Sequence, residues 1–151
     1  MKKKPIFVSI VVLFIVVIIV LATQTNTNLV KYKLKANVTE LRINNSKLLL
    51  GISNDPTEFN FGIVPENITV KKILNLKNNE NFDSLIEIHI DGNISDYIKV
   101  EEENFLLKGK ENKQIDITFN ATKIGYYTGE VEVYITTPKY EFLAPLSLWK
   151  L

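Results

Sequence analysis

One apolar stretch near the N-terminus constrains this chain more than any other feature of its sequence. It runs from Ile6 to Ala22, is broken only by Ser9, and directly follows lysines at positions 2–4 and Pro5. As an α-helix rising about 1.5 Å per residue it would reach roughly 25 Å, close to the ~30 Å hydrocarbon core of a bilayer. The sequence therefore predicts contact with membrane lipid through Ile6 to Ala22.

The same stretch allows three interpretations. A retained transmembrane anchor fits its length and its high valine and isoleucine content, which exceed what a signal peptide needs. A cleaved signal peptide fits the basic start and the residues Val20 and Ala22, which suit a cleavage site after Ala22. A pilin-type leader, cut just before an assembly helix, is the least favoured because no small-residue junction lies between Lys4 and Ile6.

The distribution of charge predicts the orientation of the chain. Basic residues mark the cytoplasmic side of a membrane span, and the lysines precede the stretch while residues 23–28 carry no charge. We expect a single-pass protein of the cell membrane with a cytoplasmic N-terminus. Its predicted parts are a basic tail (1–4), a transmembrane anchor or signal peptide (5–23), a juxtamembrane linker or arm (24–37) and an extracytoplasmic domain (38–151).

Composition excludes several classes of function. Positions 2–4 hold three of the 18 basic residues, so the rest of the chain has 15 basic and 17 acidic residues and a formal charge of −2. Such a balance lacks the concentrated basic face that nucleic acid requires. The chain has no cysteine and one histidine, which rules out disulfides, thiolate metal sites and multi-histidine metal clusters. No cofactor is expected.

The rest of the chain reads as a succession of short strands. Apolar and polar residues alternate with period two in 29–35, and turn-forming residues separate similar segments every 8 to 12 residues. A bulge is expected near Lys71 and Lys72, where a lysine intrudes on an apolar face. The later predicted strands are 38–43, 47–53, 58–64, 68–76, 85–91, 97–101, 105–108, 113–120, 128–136 and 140–148.

This pattern predicts an all-β fold, a β-sandwich or barrel with seven to nine strands in two antiparallel sheets if it is a sandwich, preceded by one N-terminal transmembrane α-helix. No window behind the apolar stretch has a sustained helical period, and each strand has one apolar face that a second sheet would bury. The residues predicted to share one core are Ile86, Ile88, Ile90, Ile115, Ile117, Phe119, Val131, Val133 and Ile135.

Five short motifs follow one another along the predicted strands. They are Phe59-Asn60-Phe61-Gly62-Ile63-Val64, Leu74-Asn75-Leu76-Lys77-Asn78-Asn79, Leu106-Leu107-Lys108-Gly109, Ile115 to Phe119, and Gly125-Tyr126-Tyr127-Thr128-Gly129. Over about residues 48–148 this series resembles the immunoglobulin-like domains of the ASH and major sperm protein type. Two positions depart from the pattern, Lys108 where proline is common and Glu66 where glycine is usual. The resemblance implies an immunoglobulin-like antiparallel β-sandwich that serves as a non-enzymatic scaffold or adhesion module.

No constellation of residues predicts an enzyme. His89 lies on a strand whose other face is isoleucine, so we expect it to point to solvent rather than serve a catalytic triad. The glutamates at 101–103 are interpreted as a solvated turn rather than a cation site. The glycines of 125–129 are expected to allow a tight turn, because no helix or Lys-Ser/Thr follows to cradle a phosphate.

Binding is predicted at a sheet edge. Pro145 cannot donate to a strand ladder, so the 140–148 strand should lie at an edge, where Tyr140, Glu141, Phe142 and Leu143 could accept an added strand from another envelope protein. The polar loops 78–84 and 101–104 suit weaker, changeable contacts. An exposed aromatic patch of Tyr126, Tyr127 and Tyr134 is a further candidate.

These observations predict a non-catalytic, membrane-anchored, extracytoplasmic interaction or structural module of the cell envelope. The alternative is an accessory subunit of a surface filament or motor, similar to an archaellum stator or a pilin. Five Asn-x-Ser/Thr sequons beyond the apolar stretch are candidate glycosylation sites that would accompany export. They begin at Asn37, Asn44, Asn67, Asn93 and Asn120.

Overall fold

A computed structural model describes the backbone of residues 4–40 and 58–146 and the side chains of residues 8–40 and 58–145. The chain begins with helix α1 (Lys4–Ala22). Within the described part of the chain, no helix has the length and apolar character needed to cross a membrane. Of the sequence predictions, the strand at 47–53 and the sequon at Asn44 fall outside the described residues.

Eight strands follow α1 in the described residues, a number within the predicted seven to nine. Two short 3-10 helices, Ser95–Tyr97 and Glu141–Leu146, complete the regular structure. The strands are β1 (Thr25–Thr39), β2 (Glu58–Pro65), β3 (Val70–Lys77), β4 (Ser84–Gly92), β5 (Ile98–Val100), β6 (Asn104–Leu107), β7 (Asn112–Phe119) and β8 (Gly125–Pro138).

The strands form two sheets that pack as an Ig-like β-sandwich. Sheet A has the strand order β2-β1-β8-β4-β6, and sheet B has the order β3-β7-β5. Their facing side chains meet in one hydrophobic core. The prediction of a purely antiparallel sandwich is wrong at one place, because β1 and β2 run parallel. The 18 residues between these two strands provide the return connection that a parallel pair requires.

The prediction of a linker or arm over 24–37 is only partly right, because β1 occupies nearly all of it. Residues 29–35 are extended as the alternation indicates, yet β1 continues from Thr25 to Thr39 and pairs with β8 along its length. It lies between β2 and β8 inside sheet A. The domain boundary expected between residues 37 and 38 therefore does not exist, and the sandwich begins at Thr25.

The predicted core is confirmed. Ile117, Phe119, Val131 and Val133 are fully buried, and the other members of the set lie in or against the same cluster. Ile90 and Ile135 are the two partly buried members. Alternation along strands with one covered face thus identified the residues that join the two sheets.

The predicted C-terminal strand is wrong. Residues 141–146 form a 3-10 helix, and the described chain has no strand after Pro138. Leu143 and Ala144 are buried there while Phe142 is exposed, so the apolar residues of this segment dock a helical turn, and residues 147–148 of the predicted strand lie outside the described residues. This turn packs against α1.

Two further local predictions are corrected. No bulge occurs near Lys71 and Lys72, because β3 pairs with β7 in continuous register from Val70 to Lys77. The bulge lies instead in β2, where one extra residue fits opposite β1 and Gly62 has a φ of 73°. Residues 125–129 likewise do not form a turn. They belong to β8 and pair with β1.

The joint between α1 and β1 is short and hydrogen-bonded. The Thr23 hydroxyl donates to the Val20 carbonyl at 2.8 Å, and the Thr23 and Gln24 amides donate to Ile19 and Leu21. These bonds satisfy carbonyls that a helix end otherwise leaves without partners. The helix therefore passes into the sandwich without a flexible connection, and Ala22 at its end is buried.

Candidate interaction surfaces

The four residues predicted to bind a partner lie beside the helix joint. Tyr140 is half-buried, Glu141 and Phe142 are exposed, and Leu143 is buried. Because 141–146 is helical, these residues present no strand edge, and the reason for expecting strand addition there is gone. Binding by this segment stays a prediction, with the exposed aromatic ring as its most prominent feature.

The exposed aromatic rings form a small surface, which we call the aromatic corner and define as Lys139, Tyr140 and Phe142. The rings of Tyr140 and Phe142 are 6.0 Å apart, and the Lys139 ammonium lies 5.6 Å from the Tyr140 ring. Phe142 is 75% exposed, more than any other large hydrophobic side chain in the described residues. A single exposed apolar side chain is common on protein surfaces, so the corner gains weight only through its position beside the apolar helix α1.

A pocket of about 390 Å³ opens at the same end of the sandwich. Sheet A extends beyond sheet B here, and the inner positions of β1 change from apolar to polar at Asn26 and Asn28. The floor is apolar and includes Ile86, Ile135 and Phe82. The volume lies at the low end of the range for small-molecule sites. The pocket therefore has room for a small molecule or a single side chain rather than a large ligand.

Asn78 fixes the loop that forms one wall of this pocket. Its amide nitrogen donates to the Phe82 carbonyl at 2.8 Å and to the Leu107 carbonyl at 3.1 Å. Its carbonyl oxygen accepts from the Glu80 amide at 2.9 Å. A buried asparagine with all these bonds made holds the 78–84 loop rigidly, so the changeable contacts expected of this loop do not fit its structure.

The 101–104 loop is similarly fixed by the domain itself. Glu102 bonds the Lys113 ammonium at 2.5 Å, and Glu101 accepts the Asp116 amide at 3.3 Å. The Glu103 carbonyl accepts the Ile88 amide at 2.7 Å. The glutamates thus serve the edge of the sandwich and do not converge on a common point. In the described residues no group of three or more His, Asp and Glu side chains could hold a metal ion.

Each sheet edge in the described chain is short, bulged or basic. β6 has four residues and β5 has three, while β2 carries its bulge and ends at Pro65. β3, which has eight residues like β2, carries Lys71, Lys72 and Lys77. These features discourage strand addition. The geometry therefore offers the aromatic corner and the pocket, rather than a described edge, as contact surfaces.

Ion pairs and hydrogen bonds cover the outer face of sheet A. Lys31 contacts Glu132 at 2.5 Å and Glu130 at 3.3 Å, and the Tyr134 hydroxyl donates to Glu132 at 2.9 Å. The hydrogen bond from Lys31 and then that from Tyr134 hold the pKa of Glu132 below its ordinary value. His89 is exposed on this face, as expected, and its ring packs edge-on against Tyr134 at 5.4 Å.

The three tyrosines proposed as one patch are not together. Tyr126 is 61% exposed, but Tyr127 is buried and donates its hydroxyl to the Lys123 carbonyl at 2.8 Å. Tyr134 lies further along β8 and is engaged with Glu132. Alternation alone could have separated them, because Tyr126 and Tyr127 are consecutive in a strand and must face opposite sides.

Four sequon asparagines lie at the end of the sandwich away from α1. All four are exposed. Asn93 is held by its own domain, since its side-chain oxygen accepts the Thr128 amide at 2.7 Å, and Asn120 donates to Thr69 at 2.8 Å. Asn67 has a φ of 62° at the turn between β2 and β3, and Asn37 lies on the outer face of β1. Glycosylation at these sites stays a prediction.

Comparison with known proteins identifies the domain type. No curated protein and no solved structure matches the chain. A family model described as "HYDIN/CFA65/VesB-like, Ig-like domain" matches residues 51–144, which is more than half of the chain. An Ig-like domain of this kind suggests a non-catalytic interaction module. The two-sheet sandwich agrees with that assignment, and the chain belongs to the HYDIN/CFA65/VesB-like Ig-like domain family.

Proposed function

We propose that this chain is a single-pass, membrane-anchored, extracytoplasmic Ig-like module that makes structural or recognition contacts in the cell envelope without catalysis. Its N-terminus is cytoplasmic and its sandwich lies outside the membrane. The family supports the interaction module. The closer resemblance to ASH and major sperm protein domains is part of this proposal and rests on the sequence motifs.

The observation that carries the proposal is the exposed apolar surface of α1. Its described side chains are exposed at almost every position, including Ile10 at 60%, Leu13 at 65% and Phe14 at 65%. The sandwich has a hydrophobic core of its own, and α1 contacts the 3-10 helix after β8. A continuous apolar surface with no partner in its own domain is expected to contact lipid or another protein.

The composition of α1 favours lipid over helix assembly. Valine and isoleucine dominate the helix, and Ser9 and Ala22 are its only small residues. Helices that pack together in membranes are enriched in small residues that allow close approach of their backbones. The filament or motor alternative needs such packing, so the side chains of α1 support an anchor in lipid more directly than an assembly helix.

The distribution of charge supports a cytoplasmic N-terminus, and the bonds at the end of α1 place the sandwich directly after the helix. The lysines at positions 2–4 precede the apolar stretch, and no charged residue follows it until Lys31. The excess of positive charge before the apolar stretch favours a cytoplasmic N-terminus. Because Thr23 and Gln24 bond directly to the end of α1, the sandwich begins where the helix ends.

Membrane fractionation tests the proposal. The native chain should remain in membranes after alkaline carbonate extraction, whereas a Leu13→Arg, Val16→Arg double variant should not. Each arginine near the centre of a span costs about 2.5–3.5 kcal/mol of insertion free energy. The matched control is Ile68→Arg with Ile124→Arg, at positions that are 43% and 55% exposed on the sandwich.

The control variant should fractionate like the native chain. Release of the native chain by carbonate would refute the anchor. Sedimentation of the native chain as an extended polymer in mild detergent would instead favour the filament alternative.

A further inference from the structure

We infer that the aromatic corner inserts into the interfacial layer of the membrane that holds α1, and that it seats the sandwich in one orientation on the membrane surface. The inference rests on the proposed anchoring of α1. Its partner is the boundary between lipid headgroups and acyl chains, which accepts aromatic rings and lysine side chains together.

The position of the corner is set by direct bonds to the helix joint. The Lys139 amide donates to the Gln24 carbonyl at 2.9 Å, and the Lys139 ammonium donates to the Gln24 side-chain oxygen at 3.2 Å. Gln24 is two residues beyond the end of α1. The corner is therefore held at the level where the apolar helix ends, which is the level of a membrane interface if α1 spans the bilayer.

Packing on the other side of the 3-10 helix fixes the direction of Phe142. Leu143 and Ala144 are 6% and 5% exposed, and Ala22 at the end of α1 is 4% exposed. These buried residues seat the turn against the protein, and the adjacent Phe142 consequently points away from it. Phe142 is therefore an exposed apolar side chain on the turn that contacts α1.

The side chains of the aromatic corner combine apolar and polar parts, which suits the membrane interface better than full exposure to water. Phe142 is apolar, Tyr140 combines an apolar ring with a polar hydroxyl, and Lys139 has an alkyl stem with a charged end. Glu141 adds a negative charge between the two rings, which opposes attraction to anionic lipid. The contact should therefore depend on aromatic insertion and change little with salt.

A fluorescent depth reporter tests this inference on the full chain. The protein has no cysteine, so Glu141→Cys supplies a single attachment point for an environment-sensitive dye, with both aromatic rings intact. The same dye on Thr122→Cys, at the far end of the sandwich, is the matched control. Both proteins are reconstituted in vesicles of phosphatidylcholine and phosphatidylglycerol, and quenching by aqueous iodide is compared.

We expect iodide quenching at position 141 to be several-fold weaker than at position 122, with a blue-shifted emission. Changing Tyr140→Ser and Phe142→Ser together should restore quenching at 141, while circular dichroism shows the sandwich unchanged. Shielding that persists without the rings would overturn the inference. So would equal quenching at 141 and 122 in protein that resists carbonate, a result that leaves the anchor intact. Protein that carbonate releases from the vesicles would refute the anchor and the inference together.

Discussion

At the scale of single residues, two glycines allow β4 and β8 to approach closely. Gly92 and Gly129 are paired across the two strands, and Gly92 has a φ of 98°. A Cβ at Gly129 would lie 2.0 Å from the Asp91 carbonyl oxygen and 2.6 Å from a methyl group of Ile94. Ile94 is fully buried, so neither neighbour can move away without disturbing the core.

Gly129→Ala should therefore destabilise the domain by about 1–3 kcal/mol, the range for overpacked sites. Gly125→Ala is the matched control, because a Cβ there meets only the Tyr127 ring at ordinary contact distance, 3.7 Å or more. Its effect should stay within about 0.5 kcal/mol. Urea unfolding of the full chain in detergent micelles measures both. Equal losses for the two variants would contradict the close approach at Gly129.

Ile117 tests the predicted core. It is fully buried in β7, where it pairs with Lys72 and Val100 of the neighbouring strands. Ile117→Ala should lower the free energy of unfolding by about 2–5 kcal/mol through lost burial and a residual cavity. Gln114→Ala, on the exposed face of the same strand, should cost far less. A loss below about 0.5 kcal/mol at Ile117 would place this residue outside the core.

The Lys31–Glu132 ion pair should make the stability of the fold depend on pH. Lys31 holds the pKa of Glu132 below its ordinary value of 4.5, so the pair stabilises the fold above that pH and loses its contribution as pH falls through the lowered pKa. Lys31→Met should raise the pKa of Glu132 toward the ordinary value, whereas Lys33→Met should leave it nearly unchanged. Carboxyl carbon NMR titration measures both. An unchanged Glu132 pKa in Lys31→Met would contradict the bond.

At the scale of elements, alternation in the sequence predicted the buried residues correctly where one face of a strand packs against the other sheet and the opposite face is exposed to solvent. β4 and β8 satisfy that condition where they face sheet B, and β7 satisfies it where it faces sheet A, and their alternation predicted the buried residues correctly. The first part of β1 does not satisfy it, because sheet A extends beyond sheet B there. Asn26 and Asn28 consequently occupy inner positions, and the segment looked like a linker.

The C-terminal segment shows the opposite error. Its apolar residues alternate as in a strand, but Pro145 lies inside a 3-10 helix and the buried residues are the consecutive Leu143 and Ala144. This turn packs against α1 and β8, contacts that the local alternation of residues does not encode. The predicted binding residues Tyr140, Glu141, Phe142 and Leu143 therefore lie in a helical turn rather than on a strand edge, and binding by this segment stays a prediction.

Replacing Asn78 should loosen the loop beside the pocket. Asn78→Ala removes donors to the Phe82 and Leu107 carbonyls and should cost about 1–3 kcal/mol, since buried polar groups lose their partners. Hydrogen exchange across 78–84 should rise at the same time. The exposed neighbour Asn79→Ala is the control and should change neither quantity. Unchanged exchange in Asn78→Ala would show that another contact holds the loop.

At the scale of the whole molecule, β1 sets the distance between the two ends of the sandwich. From Thr25 at the helix joint to Asn37 it extends by roughly 40 Å at about 3.3 Å per residue. In the proposed arrangement the pocket and the aromatic corner lie near the membrane, and the described sequons lie far from it. The sequence motifs and the composition could indicate the domain type. Which end of the sandwich lies near the membrane could not be predicted from them, because it depends on the joint between α1 and β1.

Labelling of single cysteines from either side of the membrane measures the orientation of the anchored chain. In the cysteine-free protein, Thr122→Cys marks the far end of the sandwich and Lys2→Cys marks the N-terminal tail, with two lysines retained. Each variant is treated with a membrane-impermeant maleimide on intact cells and again after lysis. If the N-terminus is cytoplasmic and the sandwich extracytoplasmic, the Thr122 variant is labelled on intact cells and the Lys2 variant only after lysis. Protection of the Thr122 variant until lysis, with the Lys2 variant labelled from outside, would contradict this orientation.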